Sequence, residues 1–565
     1  MQNIGGKTLP KSKIIEALDK FSSRPAIRNS VYLSSIIVFF ALILLPPILG
    51  IVIKWNTMQQ VLNQPELATR ALTAIQNSFM IAILVSLLDI ITGLPLAWLI
   101  SRGKSRWLNV LDTLADIPFI VPTAALGYSL LLFWNEPGGA ATLFGASLIS
   151  PGWLLVMLLH FTFSYPVVVR VMVGALLDYK MEYERAARTL GAPPLSAART
   201  VTFPILKPSI IAAFILAFAR SISETGATII VAGLTFENGS VFIQKMRNDF
   251  TAGIINQATY EGATVFASLV LIIISFTIFA VIRIAGQKAK IPTKRFWPSM
   301  ERKLSYSKAE NGRNTITLLV FFLIIIIPSL FVAFPAIEAL FTRTLSDAFT
   351  GTGIWKDYWQ SLTLSYLLGA TVTVLNIIIG LPMAIIIARR KFGRLPSTIL
   401  DLLVNVPLIV PSIALGVSLA FFWKQNLTFI PEIWLLIFAH MAITYPYFVR
   451  SMSAAVERIS VDLEEASRTL GAKPFTVFRT IILPLTKYSI LSGAILVFTR
   501  SVSETGATSA VVSSLKTAPV VIVNWVKTKG LATPLEIGLG CGFLILFSFI
   551  ILLALRFIAR GKGRY

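Results

Sequence analysis

Twelve apolar runs divide the chain, and each is long enough to form a membrane-spanning helix of about 20 residues. They begin near Val31, Asn77, Leu108, Trp153, Ser209 and Thr264, and again near Thr315, Ser361, Thr398, Trp434, Ser489 and Ile537. Prolines interrupt the third run of each set, at Pro118, Pro122, Pro407 and Pro411, so we expect kinked or broken spans there. Only 14% of residues are charged, against about 25% in soluble domains. The chain is predicted to be an all-α polytopic membrane protein with about 12 helices in two groups of six.

The net charge of +23 is placed mainly on one side of these spans. Basic residues crowd an N-terminal arm (1–30), a central linker (286–313), the C-terminal tail and the loop after the second span of each group, whereas residues 135–150 contain no Lys or Arg. Basic loops stay in the cytoplasm, so both termini are predicted to be cytoplasmic. We expect membrane lipid, not nucleic acid, to be the partner of this charge.

The two groups of spans are copies of one another. EYERAARTLGAPPLSAARTVTFPILKPSI (182–210) matches DLEEASRTLGAKPFTVFRTIILPLTKYSI (462–490) without a gap, 280 residues apart. IPFIVPTAALGYSLLLFW (117–134) matches VPLIVPSIALGVSLAFFW (406–423) at a spacing of 289. Since each copy has six spans, the two run in parallel. The sequence predicts two repeats, 31–285 and 314–560, joined by the linker.

ARSISETGAT (219–228) and TRSVSETGAT (499–508) place charges inside apolar runs. A charge in the bilayer centre is costly and marks a functional candidate. By the repeat, the two copies are predicted to face each other near the middle of the molecule. Candidate residues of a translocation path or gate are Arg220, Ser223, Glu224, Thr225, Arg500, Ser503, Glu504 and Thr505.

A structural role for these charges is the alternative. Each Arg and Glu are four residues apart and could pair along one helix face. Gly226 and Gly506 would permit close helix approach or a local break. The only two histidines, His160 and His440, are expected to be hydrogen-bonded helix contacts rather than ligands.

A polar segment precedes the fifth span of each repeat, at about 182–205 and 462–485. Gly191 and Gly471 are predicted to supply a turn of positive φ, and Pro194 and Pro474 to start the next helix. Each segment is therefore expected to form a compact helix–turn–helix on the cytoplasmic face. We call these two segments the EAA-like loops.

The loops resemble the EAA loop, E-A-A-x3-G-x9-I-x-L-P, of the inner-membrane permeases of type I ATP-binding-cassette importers. The second matches at Glu465, Ala466, Ser467, Gly471, Ile481, Leu483 and Pro484. The first matches at Ala186, Ala187, Gly191 and Pro204 but has Arg185 and Phe203 where the family has Glu and Leu. Glu184, one residue earlier, is a candidate substitute.

This resemblance implies the type I importer permease fold and a place in the plasma (inner) membrane of a prokaryote. It implies contacts with two ATP-binding-cassette ATPase subunits through Glu184, Ala186, Ala187, Gly191, Glu465, Ala466, Ser467 and Gly471. It also implies an external solute-binding protein. ATP and Mg would be used by the partner subunits, with no catalytic residue, cofactor or metal in this chain. Gly6-Lys7-Thr8 lacks the earlier glycine of a P-loop.

The solute is predicted from two features. The SETGAT segments resemble the corresponding region of sulfate, molybdate and tungstate permeases, whereas joining both halves in one chain resembles ferric-iron and thiamine importers. We favour a small inorganic oxyanion, with ferric iron or thiamine as the alternative. A secondary transporter driven by an ion gradient also accommodates twelve spans in two parallel halves, but the EAA-like loops argue against it.

Overall fold

The computed structural model describes residues 13–560, apart from 104, 106, 137–138, 141, 143–144, 289–297 and 427–428. Every regular element in this described part is a helix, so the predicted all-α class is confirmed. The first half contains twelve helices in the described ranges. They are α1 Lys13–Ser22, α2 Pro25–Ile53, α3 Trp55–Leu62, α4 Pro65–Arg102, α5 Trp107–Ile120, α6 Thr123–Trp134, α7 Trp153–Asp178, α8 Glu182–Thr189, α9 Pro194–Ser223, α10 Gly226–Val231, α11 Gly239–Thr251 and α12 Gln257–Lys288.

The second half repeats these helices in the same order. They are α13 Pro298–Leu304, α14 Lys308–Ala339, α15 Arg343–Thr350, α16 Trp355–Arg389, α17 Arg394–Ile409, α18 Ser412–Asn426, α19 Glu432–Glu457, α20 Val461–Thr469, α21 Pro474–Val502, α22 Gly506–Val511, α23 Ala518–Lys527 and α24 Pro534–Arg560. Each helix of the first half therefore has its counterpart twelve places later, as the sequence repeat predicts.

Ten of the described helices are long and apolar enough to cross a membrane. The helix pairs α5–α6 and α17–α18 each bend by 103°, and counting each pair as one span gives twelve. The bends lie at Val121-Pro122 and Val410-Pro411, where the residue before proline is extended, with ψ of 124° and 132°. Proline disfavours a helical conformation in the preceding residue, so the expected breaks are confirmed.

The first span of each half begins earlier than the sequence predicts. Helix α2 begins at Pro25 and α14 begins at Lys308, whereas the spans were predicted to begin near Val31 and Thr315. Two short helices, α1 and α13, precede them in the arm and the linker. Residues 1–12 of the arm and 289–297 of the linker lie outside the described residues.

The first spans are exchanged between the halves. Helix α2 packs against α16 and α18 of the second half, and α14 packs against α4 and α6 of the first. Ser35 Oγ donates to the carbonyl of Ile379 at 2.7 Å, and Ser129 Oγ donates to the carbonyl of Pro328 at 2.7 Å. Both hydrophobic cores consequently contain side chains from both halves, and the two repeats are intertwined rather than separate.

Candidate functional site

The first EAA-like loop is fixed to the end of the second span by a buried carboxylate. Glu184 in α8 is only 4% exposed, and its Oε2 lies 2.7 Å from Nη1 of Arg102, the last residue of α4. Thr202 Oγ1 donates to the same oxygen at 3.0 Å. The Arg102 guanidinium also lies 4.0 Å from the centre of the Trp98 ring. Glu184 therefore positions the loop and does not face outward.

The second EAA-like loop uses the same contact. Glu464 is 5% exposed and its Oε1 lies 2.8 Å from Nη2 of Arg389, the last residue of α16. Its other oxygen lies 3.6 Å from Arg468. The structural counterpart of Glu184 is thus Glu464. Arg185 and Glu465 occupy the next position in each copy, and both are exposed.

Sequence reasoning missed Glu464, because the coupling residues were chosen from the family motif, in which Glu465 takes the place of the conserved glutamate. The ungapped match of EYERA with DLEEA was the available signal, since it pairs Glu184 with Glu464. The idea that Glu184 substitutes for an outward-facing glutamate does not fit its buried ion pair.

The other predicted loop residues lie on the surface. Ala186, Gly191, Glu465, Ala466 and Gly471 are exposed, and Ala187 and Ser467 are partly exposed. Gly191 and Gly471 have φ of +87° and +85°, which confirms the predicted turns. An added Cβ at either glycine would meet nothing within 4 Å, so the requirement for glycine is conformational.

An apolar side chain projects from the tip of each loop. Leu190 is 90% exposed and Leu470 is 88% exposed, each directly before the turn glycine. They occupy equivalent positions in the two copies, and the sequence analysis did not single them out. The repeat thus places one highly exposed apolar side chain at the same point of each EAA-like loop.

Helix α1 holds the EAA-like loop of the opposite half. Asp19 is 2% exposed and accepts hydrogen bonds from Thr476, from the backbone N–H at 2.9 Å and from the hydroxyl at 2.6 Å. Ser22 Oγ accepts from the N–H of Phe475 at 3.1 Å. The first N–H groups of a helix have no partners within the helix. Asp19 and Ser22 supply such partners at the start of α21 and so cap it.

Helix α13 makes the equivalent contact with the first loop. Glu301 is 8% exposed, accepts from the hydroxyl of Ser196 and forms an ion pair with Arg199 at 2.9 Å. Ser305 Oγ accepts from the N–H of Leu195 at 3.2 Å. The helix before the first span of each half therefore caps the loop of the other half.

The two SETGAT copies meet, as the repeat predicted. Each interrupts a helix: α9 ends at Ser223 and α10 begins at Gly226, while α21 ends at Val502 and α22 begins at Gly506. We call the interruptions, 223–226 and 503–506, the SETG breaks. A Cβ added to Gly226 would lie 2.0 Å from Thr505 Oγ1, and one on Gly506 would lie 2.8 Å from Thr225 Oγ1. The breaks are thus in reciprocal contact.

Hydroxyl groups from the bent spans support each break from the opposite half. Thr123 Oγ1 donates to the carbonyl of Ser503 at 3.2 Å, and Ser412 Oγ donates to the carbonyl of Ser223 at 3.2 Å. Thr123 and Ser412 are the first residues of α6 and α18, directly after the proline bends. The bends and the breaks therefore form one structure around the pseudo-twofold axis.

The two glutamates are buried and accept hydrogen bonds from the backbone. Glu224 is 3% exposed and accepts from the N–H of Ala227 at 3.0 Å, while Glu504 is 2% exposed and accepts from Ala507 at 2.9 Å. Thr225 and Thr505 are also buried. In this conformation these two glutamates and two threonines are closed off from solvent.

Arg220 and Arg500, each three residues before a break, have different partners. Arg500 forms the predicted pair with Glu504, at 2.5 Å. Arg220 and Glu224, both in the described part of the chain, do not lie within ion-pair distance, so the predicted pairing is wrong for the first copy. Arg220 Nε instead donates to the carbonyl of Phe163 at 3.1 Å.

Aromatic rings explain this difference. The Arg220 guanidinium lies 3.8 Å from the centre of the Phe163 ring and 4.5 Å from that of Phe119. The second half has Ile443 and Leu408 at the equivalent positions, so Arg500 has no such rings to stack on. Ring faces stabilise a buried guanidinium by cation–π attraction.

Both histidines bridge the broken helices. His160 contacts Ser221 Oγ at 2.8 Å and Thr228 Oγ1 at 2.9 Å, one on each side of the first break. His440 makes the same contacts with Ser501 and Thr508, at 2.9 and 2.8 Å. The expectation that they are hydrogen-bonded helix contacts is confirmed.

A cavity of about 620 Å³ lies between the halves, on the side of the breaks that faces the EAA-like loops. Its α9 wall runs from Pro208 to Leu216, between the first loop and the first break. Asn405, Tyr447 and Arg450 add polar groups to a mostly apolar wall. The parts of α9 and α21 that line the cavity therefore lie, along the chain, between an EAA-like loop and a SETG break.

Comparison with known proteins gives one family. Residues 90–291 and 380–561 both match the family described as binding-protein-dependent transport system inner membrane component. The sulfate transport system permease protein CysT of Salmonella typhimurium is 33% identical over 213 residues, which cover 36% of this chain and 74% of that relative. CysT of Escherichia coli is 32% identical over 213 residues, with the same shares of each chain. A probable sulfate permease of Nephroselmis olivacea is 30% identical over 230 residues, 40% of this chain and 79% of that relative.

Proposed function

Because the chain belongs to the family of binding-protein-dependent transport system inner membrane components, in two fused copies, we propose that it is the permease of an ATP-driven importer for an inorganic oxyanion. Two separate ATPase subunits hydrolyse ATP with Mg, and this chain itself carries no cofactor and no catalytic residue. An external binding protein delivers the solute. The EAA-like loops and both termini face the cytoplasm, as the basic loops predict.

The observation that carries this proposal is the duplicated loop surface. Both EAA-like loops are held by the same buried ion pair and both expose a leucine beside a turn glycine. A partner that fits one loop also fits the other, so two copies of one subunit are expected across the pseudo-twofold axis. Two ATPase subunits, one under each loop, meet this requirement.

The helices provide a mechanical connection from loop to break. Helix α9 has 30 residues and α21 has 29, so each spans about 45 Å at 1.5 Å per residue. Each begins in an EAA-like loop and ends at a SETG break. When the ATPases move the loops, these helices shift the breaks, which separate to admit the solute and close behind it.

The SETG breaks supply the groups of the translocation path. Within the described residues, no carboxylate lies within ion-pair distance of Arg220, so its guanidinium is available to an anion once the breaks separate. Arginine binds oxyanions through charge-assisted hydrogen bonds. The hydroxyls of Ser223, Thr225, Ser503 and Thr505 belong to the two breaks, and we assign them to contacts with the oxyanion. Glu224, Glu504 and Arg500 form the gate.

Sulfate is the oxyanion we propose. The three relatives named above each carry the name of a sulfate permease, and their matches cover 36–40% of this chain. Ferric iron and thiamine are the alternative solutes, because the fusion of both halves into one chain resembles importers of those two. Both belong in the transport assay as competing solutes.

Uptake of labelled sulfate into proteoliposomes tests the proposal. The complete complex with its binding protein should accumulate sulfate only when ATP reaches the ATPase side. Leu470→Asp should abolish uptake, because a charge replaces an apolar contact with the ATPase. The matched control is Leu395→Asp, which also changes an exposed leucine, 72% accessible, outside both EAA-like loops.

Two results would contradict the proposal. Uptake driven by an ion gradient without ATP would make the protein a secondary transporter. Accumulation of ferric iron or thiamine but not sulfate would keep the importer and replace its solute.

A further inference from the structure

A second cavity lies beside the second EAA-like loop, away from the path between the halves. Its volume is about 500 Å³, within the range of small-molecule sites. The walls come from helices α1 and α2, the end of α16 and the loop itself. Phe21, Val31, Ile385, Phe392 and Phe475 give it an apolar lining.

Three cationic side chains line the same cavity. They are Arg28 from α2, Lys391 from the turn after α16, and Arg468 from α20. The acidic residue in the wall, Glu464, is already paired with Arg389 at 2.8 Å and lies 3.6 Å from Arg468. Among the residues that the structure describes, Arg28 and Lys391 form no ion pair. The wall therefore carries a surplus of positive charge.

The charges are close enough to influence one another. Burial, followed by the neighbouring Arg468, lowers the pKa of Lys391 below its ordinary value, and Arg28 and Arg389 act in the same direction. Glu464 opposes this effect. An anion bound among these cations would relieve their repulsion.

The cavity lies at the level where spans leave the membrane. Arg28 and Val31 are in the first two turns of α2, and Ile385 is in the last two turns of α16. Its apolar wall thus continues the lipid-facing part of the spans, and its cations lie at their ends. A ligand that fits both parts carries an anionic head and an apolar tail.

The first half does not repeat this arrangement. The first spans of the two halves can be aligned by a shared Phe-Phe pair, Phe39-Phe40 in α2 and Phe321-Phe322 in α14. In this alignment Glu310 takes the position of Arg28. Glu310 lies 3.5 Å from Arg313. An acidic residue here would repel an anionic head, so the cationic cluster belongs to the second loop.

We propose that the cavity binds an anionic phospholipid of the cytoplasmic leaflet, with its phosphate among Arg28, Lys391 and Arg468 and its acyl chains along the apolar wall. Basic pockets between spanning helices on the cytoplasmic side bind such headgroups. The bound lipid joins the arm, the turn after α16 and the second EAA-like loop. Its effect on transport rests on the proposed function, because it acts by holding an ATPase-binding loop in place.

Lipid binding can be measured on the purified chain alone, without ATPase. Native mass spectrometry in detergent should show a phosphatidylglycerol molecule on the wild type and none at the same concentration of phosphatidylcholine. The variant Arg28→Gln with Lys391→Gln should weaken phosphatidylglycerol binding by about 30-fold, since two of three cations are lost. The control is Arg24→Gln with Arg390→Gln, which removes the same charge from exposed neighbours that do not line the cavity.

Three outcomes would overturn the proposal: undiminished binding in the Arg28/Lys391 variant, equal weakening in the control, or displacement of the lipid by an equal concentration of inorganic phosphate. The last result would identify a site for free phosphate. Failure to recover ATPase subunits would reject the proposed function but leave this measurement interpretable.

Discussion

Gly226 and Gly506 lie at the contact between the two halves, where there is no room for a side chain. A Cβ at Gly226 would lie within 2.8 Å of three side-chain atoms of Thr505. Threonine branches at Cβ, so rotating χ1 cannot clear all three contacts. The closed arrangement of the SETG breaks therefore depends on glycine at this position.

Gly226→Ala should lower the midpoint of thermal unfolding, because overpacking of this kind costs about 1–3 kcal/mol. The control is Gly174→Ala in α7, where an added Cβ meets nothing within 4 Å. That change should leave the midpoint unchanged or raise it, since alanine favours helix over glycine. Equal loss of stability in both variants would show that the contact with Thr505 is unimportant.

Individual residues of the breaks were predicted unevenly by the sequence. The meeting of the two copies follows from the repeat alone, and the structure confirms it. The different partners of Arg220 and Arg500 do not follow, because the repeat implies equal contacts for equal residues. The difference comes from Phe163 and its counterpart Ile443, which lie on neighbouring helices and act only once the helices are packed.

Helices α1 and α13 show how one half supports the other. Asp19 and Ser305 each accept a backbone N–H at the start of the helix that continues from the opposite EAA-like loop, and Glu301 binds the Ser196 hydroxyl beside it. A carboxylate at a helix start is also favoured by the helix dipole. The contact fixes the position of the segment that connects loop to break.

Asp19→Ala should release this cap. We expect hydrogen exchange at the amide of Thr476 to accelerate by about fivefold or more, as loss of a cap costs about 1 kcal/mol or more. Glu16→Ala removes an exposed carboxylate from the same helix and should change nothing. Unchanged exchange in Asp19→Ala, or equal acceleration in Glu16→Ala, would contradict the capping role.

The elements themselves were largely predictable, and their partners were not. The lengths of the apolar runs predicted the spans, and Pro122 and Pro411 predicted the two bends. Sequence periodicity does not tell which spans are neighbours, so the exchange of α2 and α14 between halves was not predicted. The arm and linker were assigned only as basic segments, since Asp19 and Glu301 show their role only against the loops.

The whole molecule is an intertwined pair of repeats with two equivalent loops on one face. Exchanged first spans and crossed caps connect each loop to both halves. With the proposed function, we expect movement of one loop to be transmitted across the pseudo-twofold axis to both breaks. This arrangement suits a permease in which two subunits act together on one gate.

The number of ATPase subunits on the chain tests this account most directly. The tagged chain is purified in mild detergent from the cells that produce it, and the intact complex is weighed by native mass spectrometry. We predict two copies of one ATPase per chain, and their loss when Leu190 and Leu470 are both replaced by Asp. A chain that carries no ATPase and still transports its solute would contradict the account.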